Sequence, residues 1–540
     1  MTMKADWLFG HPRRAYERAR RNTAAMRAAM DGASAADLQA TLAALDGDES
    51  FLLGQLPNGD ELRLAPREVG RHGMVWGSSG AGKSYGLVVI TNGWSAGGSR
   101  RLQLLDPKGE TYLLKSLHVA AHYLDLPDTE REAFAARFRV FDVTADALTP
   151  FNLFAIPKGM APPLLAGLRA TATRHMSGHD YSDLMEYGVF LLYAAAIDMQ
   201  CGITVKFVRA FFLDAEFRAR LILPKISDVR LRDSIEHIET TLPTQTRTAI
   251  VRQFDILLAS APARISFGLA PAMVHALAPV DARATDFLGN FGPTPQRSPA
   301  LAKAMAINRL IDVLNDANVR EETTPEMVLV EEVGVIVKQP AVADFLLEAS
   351  RTLRWKGLSI VCVAQDPANA IPRETCTALV LNSKWLLSFE CGKEEALWLF
   401  PHVSRSTDTS EAEQRQAFVR EMAKLPTQHA VLVKKGVPAV RFRTRDLDDP
   451  TKRYPRDLLV ETFEREIARR SMVRMKDAEK LIATWEADLF ASYGGGATAT
   501  PSQLVNGPPR GGAATRGISD LFSLLSRARG KAEPEEGSNG

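Results

Sequence analysis

Cysteine is scarce and unpaired in this chain. Its 540 residues include four (Cys201, Cys362, Cys376, Cys391), none at Cys-x-x-Cys spacing. That excludes a disulfide framework and the usual zinc sites, and suits a reducing compartment. Net charge of one sign is also lacking: 66 Lys and Arg against 64 Asp and Glu leave +2. No global basic field announces nucleic acid, so any such contact must come from local patches. Long apolar runs are missing too. The longest clean one, Val189–Ile197, is about half of the roughly 20 residues a spanning helix needs. The N-terminus, MTMKADWLFGHPRRAYERARR, carries charge without the apolar core of a secretory signal. These absences point to a cytoplasmic chain, or one held to a membrane only through partners.

What is present is ordinary globular composition, 46% hydrophobic and 24% charged, on a chain long enough for roughly three to four domains. Residues 1–50 read as a basic helical arm, with Arg13, Arg14, Arg18, Arg20 and Arg21 crowding the turns after Pro12. FLLGQLPNGDELR, from Phe51 to Arg63, reads as a hairpin around a Pro-Asn-Gly-Asp turn. HGMVWG (His72–Gly77), RLQLLD (Arg101–Asp106) and FRVFDV (Phe138–Val143) are buried-strand candidates, and residues 51–154 form the first part of a nucleotide-binding domain. Residues 155–315 turn helical, as in DLMEYGVFLLYAAAIDM and RTAIVRQFDILLASA, and read as an all-α insert. Strand-type runs resume in 316–450 with EMVLVEE, LSIVCVAQ, ALVLN, KWLLSFE and the closing hairpin HAVLVKKGVPAVRF. Residues 451–492 read as charged helix. The stretch 493–540 is too rich in Gly, Pro and Thr to bury a core, and carries a short amphipathic helix at 517–531 with Ile518, Leu521, Phe522 and Leu525 on one face.

Two motifs carry chemistry. GSSGAGKS, residues 77–84, matches the phosphate-loop pattern completely, between a strand candidate and a helix candidate. Gly77, Gly80 and Gly82 let backbone N–H groups, including those of Ser78, Ser79 and Ala81, turn onto phosphate oxygens. Lys83 reaches the β- and γ-phosphates, and Ser84 ligates magnesium at a helix N-terminus. The partner element should be an apolar strand ending in acid, which Met327–Val330 followed by Glu331 and Glu332 supplies. The first carboxylate holds magnesium through water, and the second can act as base toward the attacking water. Together they mark a P-loop NTPase. No guanine-type Asn-Lys-x-Asp motif is apparent, so ATP with Mg2+ is the expected ligand.

LQLLDPKGETY narrows the work done. A strand ending Asp-Pro-Lys-Gly-Glu after the phosphate-loop helix resembles the conjugative coupling-protein family of type IV secretion systems, within the HerA–FtsK type of hexameric DNA-pumping ATPases. GQLPNGDELRLAPREVGRHGMVWGSSGAGKS is similar to that superfamily's hairpin and His-containing lead-in. VFDVTADALTPFNLF, VLVEEVG, RTLRWKGLSIVCVAQDPANA and HAVLVKKGVPAVRF follow in the family's order, so the likeness spans roughly residues 51–445. It implies an α/β fold with a parallel-centred sheet and an inserted all-α domain. It further implies Glu332 as catalytic carboxylate, Gln365 as γ-phosphate sensor and Arg354, with Arg351 next, as a finger reaching a neighbour's nucleotide. The implied partners are DNA bound without sequence preference, further copies in a hexamer, and type IV secretion or relaxosome components. The implied location is the bacterial cytoplasm at the inner face of the membrane. Two departures stand out: Glu331 replaces the family's usual Asp, and the membrane-spanning N-terminus common in coupling proteins is missing.

Three functions remain open on the sequence: a DNA translocase, a secretion ATPase that recruits protein effectors or powers channel assembly, and a nucleotide-gated scaffold without productive turnover. Lys434–Lys435 and the basic arm are the candidate patches for gripping phosphates.

Overall fold

In the computed structural model, residues 42–494 are described apart from 97–98, 145, 152, 157–159, 175–181, 278–283, 293–298, 321–323, 339, 403–409 and 435–438. The basic arm up to residue 41, Lys435 and the whole tail with its 517–531 helix lie outside the described residues.

Among the described residues thirteen strands follow in chain order: β1 (Phe51–Gln55), β2 (Glu61–Leu64), β3 (Gly73–Trp76), β4 (Arg101–Asp106), β5 (Phe138–Phe141), β6 (Ala147–Leu148), β7 (Asp286–Asn290), β8 (Glu326–Val330), β9 (Leu358–Ala364), β10 (Trp385–Ser388), β11 (His429–Lys434), β12 (Val440–Thr444) and β13 (Val473–Arg474). Eleven make one sheet in the order β2-β1-β12-β11-β10-β3-β9-β8-β4-β7-β5. From β10 to β5 every pairing is parallel, and from β10 outward to β2 every pairing is antiparallel. The split follows from sequence. β8 and β9 are buried at every position and read as near-continuous apolar runs, broken only by Glu326 and Ser359, as suits parallel strands covered on both faces. The outermost strand alternates instead, with β2 running exposed, buried, half-buried, buried. This is the mostly parallel α/β architecture expected from the motifs.

The helices 162–174, 183–198, 205–213 and 244–257 gather on one side. Their apolar faces share a single core with Trp76, Leu105, Val328 and Val330 of the sheet, so the helical block is packed onto the sheet rather than hung from it. The other face, with Val75, Leu102, Leu104 and Leu329, is covered by the helices Lys83–Ser95 and Glu110–Asp125. β6 and β13 form a small separate ladder that ties the C-terminal segment to the end of β5.

Several sequence expectations need correction. The span 155–315 is not helical throughout: β7 lies inside it and occupies the sheet between β4 and β5. Its DFLGN is short and contains a glycine, so it gives little period-2 signal. ALVLN is not a strand but the second half of the helix Arg373–Asn382, burying Cys376 and Leu379 at helical spacing. Short apolar runs fit either period, and here tertiary packing decides. The segment 451–492 is not one helix. It runs from Arg456–Thr462 through a π-helical turn, Phe463–Ile467, and a 3-10 turn, Ala468–Ser471, then breaks at β13 before Met475–Gly494. The break lets Ser471 Oγ accept a hydrogen bond from Val140 N at 3.1 Å.

Candidate functional site

The register of the parallel block puts the chemistry along one edge. Trp76 pairs with Ala364, Val330 with Cys362, and Leu105 with Val330. One residue beyond these pairs, the C-terminal ends of four adjacent strands present Gly77, Gln365, Glu331 and Asp106. Sequence reading named the first three, and the sheet brings them together.

The phosphate loop leaves β3 and opens the helix Lys83–Ser95. Gly77 (φ 151°), Gly80 (φ 79°) and Gly82 (φ 103°) adopt backbone that other residues avoid. Ser78 N donates to Glu390 O at 2.7 Å, anchoring the loop to the segment after β10. A side chain at Gly77 would strike Phe389 Cβ at 2.7 Å, whereas a Cβ on Gly80 meets nothing within 4 Å. The back of the loop is therefore walled and its crown is open. Gln428, itself at φ 66°, covers the wall at Gly82 and donates from N to Ala81 O at 2.9 Å. Lys83 Nζ donates to Gly77 O (2.7 Å) and Ser78 O (2.8 Å), so its ammonium hangs over the loop. Burial lowers its pKa, and the Glu332 carboxylate is the largest influence opposing that shift. Ser79 is exposed and Ser84 half-buried, and Ser78 Oγ is buried without a partner among the described residues.

The acids divide into a buried and a bridging carboxyl. Glu331 is 5% exposed, and its Oε1 accepts from the Thr111 hydroxyl. Burial, then the neighbouring Asp106, pushes its pKa well above the ordinary carboxylate range. Asp106 is fully buried and caps the next helix, accepting from Lys108 N (2.9 Å), Gly109 N (2.8 Å) and Tyr112 N (2.9 Å). Those N–H groups favour its ionised form against the burial that raises it, so the pair's proton belongs on Glu331. Glu332 turns the other way. Its backbone is left-handed (φ 46°, ψ 45°), and its carboxylate meets Lys108 Nζ at 2.7 Å.

The donor set fits magnesium brought in with nucleotide. Ser84 offers a hydroxyl at a helix N-terminus, and Glu331 a carboxyl whose proton a nearby cation would displace. The unpartnered Ser78 Oγ and the open crown at Gly80 leave polar groups and space for phosphate oxygens.

Arg354 stands apart. It is exposed on the turn Leu353–Lys356 before β9, beside Trp355 (70% exposed) and close enough to the buried His72 to depress its pKa. The seven residues of β9 separate it from Gln365, about 20 Å at strand rise. It cannot reach the phosphate loop of its own chain. Arg351 is exposed at the end of the preceding helix, on the same edge. Lys434 is no free cargo grip, since its Nζ pairs with Glu68 (2.9 Å) and donates to Ala44 O (2.8 Å).

Lys108, Thr111, Asp106 and Gln428 were given no role by sequence reading. The first three lie in or beside DPKGE, where an acid ending a strand with glycine three residues on signals a tight turn at a helix start. No sequence signal marks Gln428.

No helix among the described residues is long and apolar enough to cross a membrane. No family model matches the sequence, and no curated protein matches it. Among solved structures the chain is similar to VirB4 of Thermoanaerobacter pseudethanolicus, at 13% identity and a TM-score of 0.48, over 75% of this chain and 99% of that one. It is similar to the bacterial conjugative coupling protein TrwBΔN70 in an unbound form, at 13% identity and 0.48, over 77% and 94%. TrwB in complex with ADP and Mg2+ gives 13% and 0.47 over the same shares. Likeness at this level concerns architecture and assigns no chemistry to individual residues.

Proposed function

We propose that this chain is a magnesium-dependent ATPase of the type IV secretion kind that works as a ring of its own copies and moves DNA or a DNA–protein complex. The observation that carries the nucleotide chemistry is the common edge on which Lys83, Gln365, Glu331 and Glu332 converge. Lys83 and the loop N–H groups hold the phosphates, and Ser84 and Glu331 hold the metal. Glu332 takes the proton from the attacking water, and Gln365 contacts the γ-phosphate. The bound metal supplies charge neutralisation on the β- and γ-oxygens.

The need for copies has its own support. Arg354 faces solvent on the opposite edge of the sheet, so its action on a nucleotide requires a neighbour's site. Such an arginine ties hydrolysis to subunit contact. DNA as cargo rests on the DPKGE-centred resemblance.

The test is steady-state ATPase activity with and without linear DNA, alongside Lys83→Ala and Glu332→Gln. Strong DNA stimulation, lost in both variants and falling with salt, is the expected result. Turnover indifferent to DNA moves the reading to protein secretion. ATP binding without turnover moves it to the scaffold.

A further inference from the structure

We infer that Gln428 is a nucleotide-binding residue: its side-chain amide takes the sugar hydroxyls of ATP on the flank of the phosphate loop away from the acids. This contact depends on the ATPase reading and adds a specificity determinant to the same site.

The flank follows from strand order. The loop leaves β3, and β9, β8 and β4, whose C-terminal ends present Gln365, Glu331 and Asp106, all lie to one side of it. On the other side stand β10 and then β11. Because β10 is parallel to β3 and β11 antiparallel to β10, β11 begins on the edge where the loop lies. Gln428 immediately precedes β11. A triphosphate whose γ end faces Gln365 and the acids carries its sugar to the opposite flank, toward Gln428.

Gln428 is held there at a conformational cost. It is the third residue of a turn closed by His429 N donating to Pro426 O at 2.9 Å, and its φ of 66° is one that glycine or asparagine normally supplies. Its backbone is tied at both ends. The N–H donates to Ala81 O at 2.9 Å, and the carbonyl accepts from Thr444 N at 2.8 Å and Thr444 Oγ1 at 3.2 Å. Its Cγ passes beside the loop, 3.3 Å from where a Cβ on Gly82 would sit.

The turn by itself gives no reason for a glutamine. The side chain is half-buried, and its amide makes no hydrogen bond to a described residue. The Tyr85 hydroxyl, in the first turn of the loop helix, is already engaged by Leu447 N and Leu447 O. An amide both donates and accepts, and so does a sugar hydroxyl. Phosphate oxygens only accept, and Lys83 and the loop N–H groups serve them.

The test is calorimetric titration of the full chain, with magnesium, by ATP, by an ATP analogue lacking both ribose hydroxyls, and by tripolyphosphate. Wild type is compared with Gln428→Gly and Gln428→Asn. Glycine keeps the left-handed turn and removes the side chain, while asparagine keeps the turn and draws the amide back by one methylene. Wild type should bind ATP about three- to tenfold more tightly than the analogue, the scale of a neutral hydrogen bond. Both variants should bind ATP and the analogue alike, and tripolyphosphate as wild type does. Discrimination that survives in Gln428→Gly, or that wild type lacks, overturns the contact. Equal losses for ATP and tripolyphosphate overturn it too, because they mark a residue that only shapes the loop. If Gln428→Gly does not fold, Gln428→Asn takes its place under the same criteria. A wild type that binds neither ATP nor tripolyphosphate refutes the nucleotide reading itself, and the contact with it.

Discussion

Replacing Gly82 by alanine tests the phosphate loop at a point held both by its backbone and by its neighbours. Gly82 has φ 103° and ψ 13°, and an added Cβ would lie 3.0 Å from Gln428 N and 3.1 Å from Gln428 Cα. Left-handed backbone alone costs a non-glycine residue about 1–2 kcal/mol. The contact adds to this because Gln428 cannot easily retreat. Its N donates to Ala81 O, and its carbonyl accepts from Thr444 N at 2.8 Å and Thr444 Oγ1 at 3.2 Å. Together these come to about 2–3 kcal/mol, charged to the loop whenever it takes the phosphate-binding shape. At tenfold per 1.4 kcal/mol, ATP should bind about 30- to 100-fold more weakly. Gly80→Ala is the internal control: its φ of 79° imposes the backbone strain, but nothing stands within 4 Å of the new methyl. It should lose only about 5- to 30-fold. Calorimetric titration with ATP and magnesium reads both. Binding by Gly82→Ala within twofold of wild type, or equal losses in the two variants, would refute the reasoning.

Arg354→Ala should retain ATP affinity and lose about a thousandfold in turnover, the scale of a missing arginine finger. Mixing it with Glu332→Gln chains should restore part of the activity, because an interface with its base from an Arg354→Ala copy and its arginine from a Glu332→Gln neighbour is intact. A mixture as inactive as its components, or an Arg354→Ala protein at wild-type rate, would remove the need for a neighbour. Burial, with help from the Arg354 guanidinium, pushes the His72 pKa down to about 4 from an ordinary 6.5, and its Nδ1 accepts from Ile360 N at 2.9 Å. The folded protein thus resists protonating this ring. The stabilising contribution is complete above about pH 6.5 and is lost as pH falls toward 4, by about 3 kcal/mol in all. Urea unfolding across that interval should show a smaller loss for His72→Gln than for wild type, and parallel curves would sink the assignment.

How far the sequence reached can be seen strand by strand. β3, β4, β8 and β9 were legible because parallel strands covered on both faces are mostly apolar, and because each ends in a residue or loop type that few other contexts tolerate. GSSGAGKS dictates a tight loop by its glycines alone. β7 was missed since its five residues carry no period of their own, and its place was decided by the gap between β4 and β5. ALVLN went the other way: the run is too short to choose a period, and the neighbours that bury Cys376 and Leu379 chose the helix.

The sequence by itself determined which groups are available: a phosphate loop, two acids at a strand end, a glutamine, an exposed-type arginine turn and a DPKGE turn. Only the tertiary structure decided who meets whom. Strand order in a sheet is not written in any local stretch, because it is set by how all the crossovers pack at once. That order sets Glu331 against Asp106 and Thr111 and turns it into a buried, proton-holding carboxyl. It brings Lys108, just past β4, onto Glu332, just past β8, and it sends Arg354 to the far edge, away from the phosphate loop of its own chain.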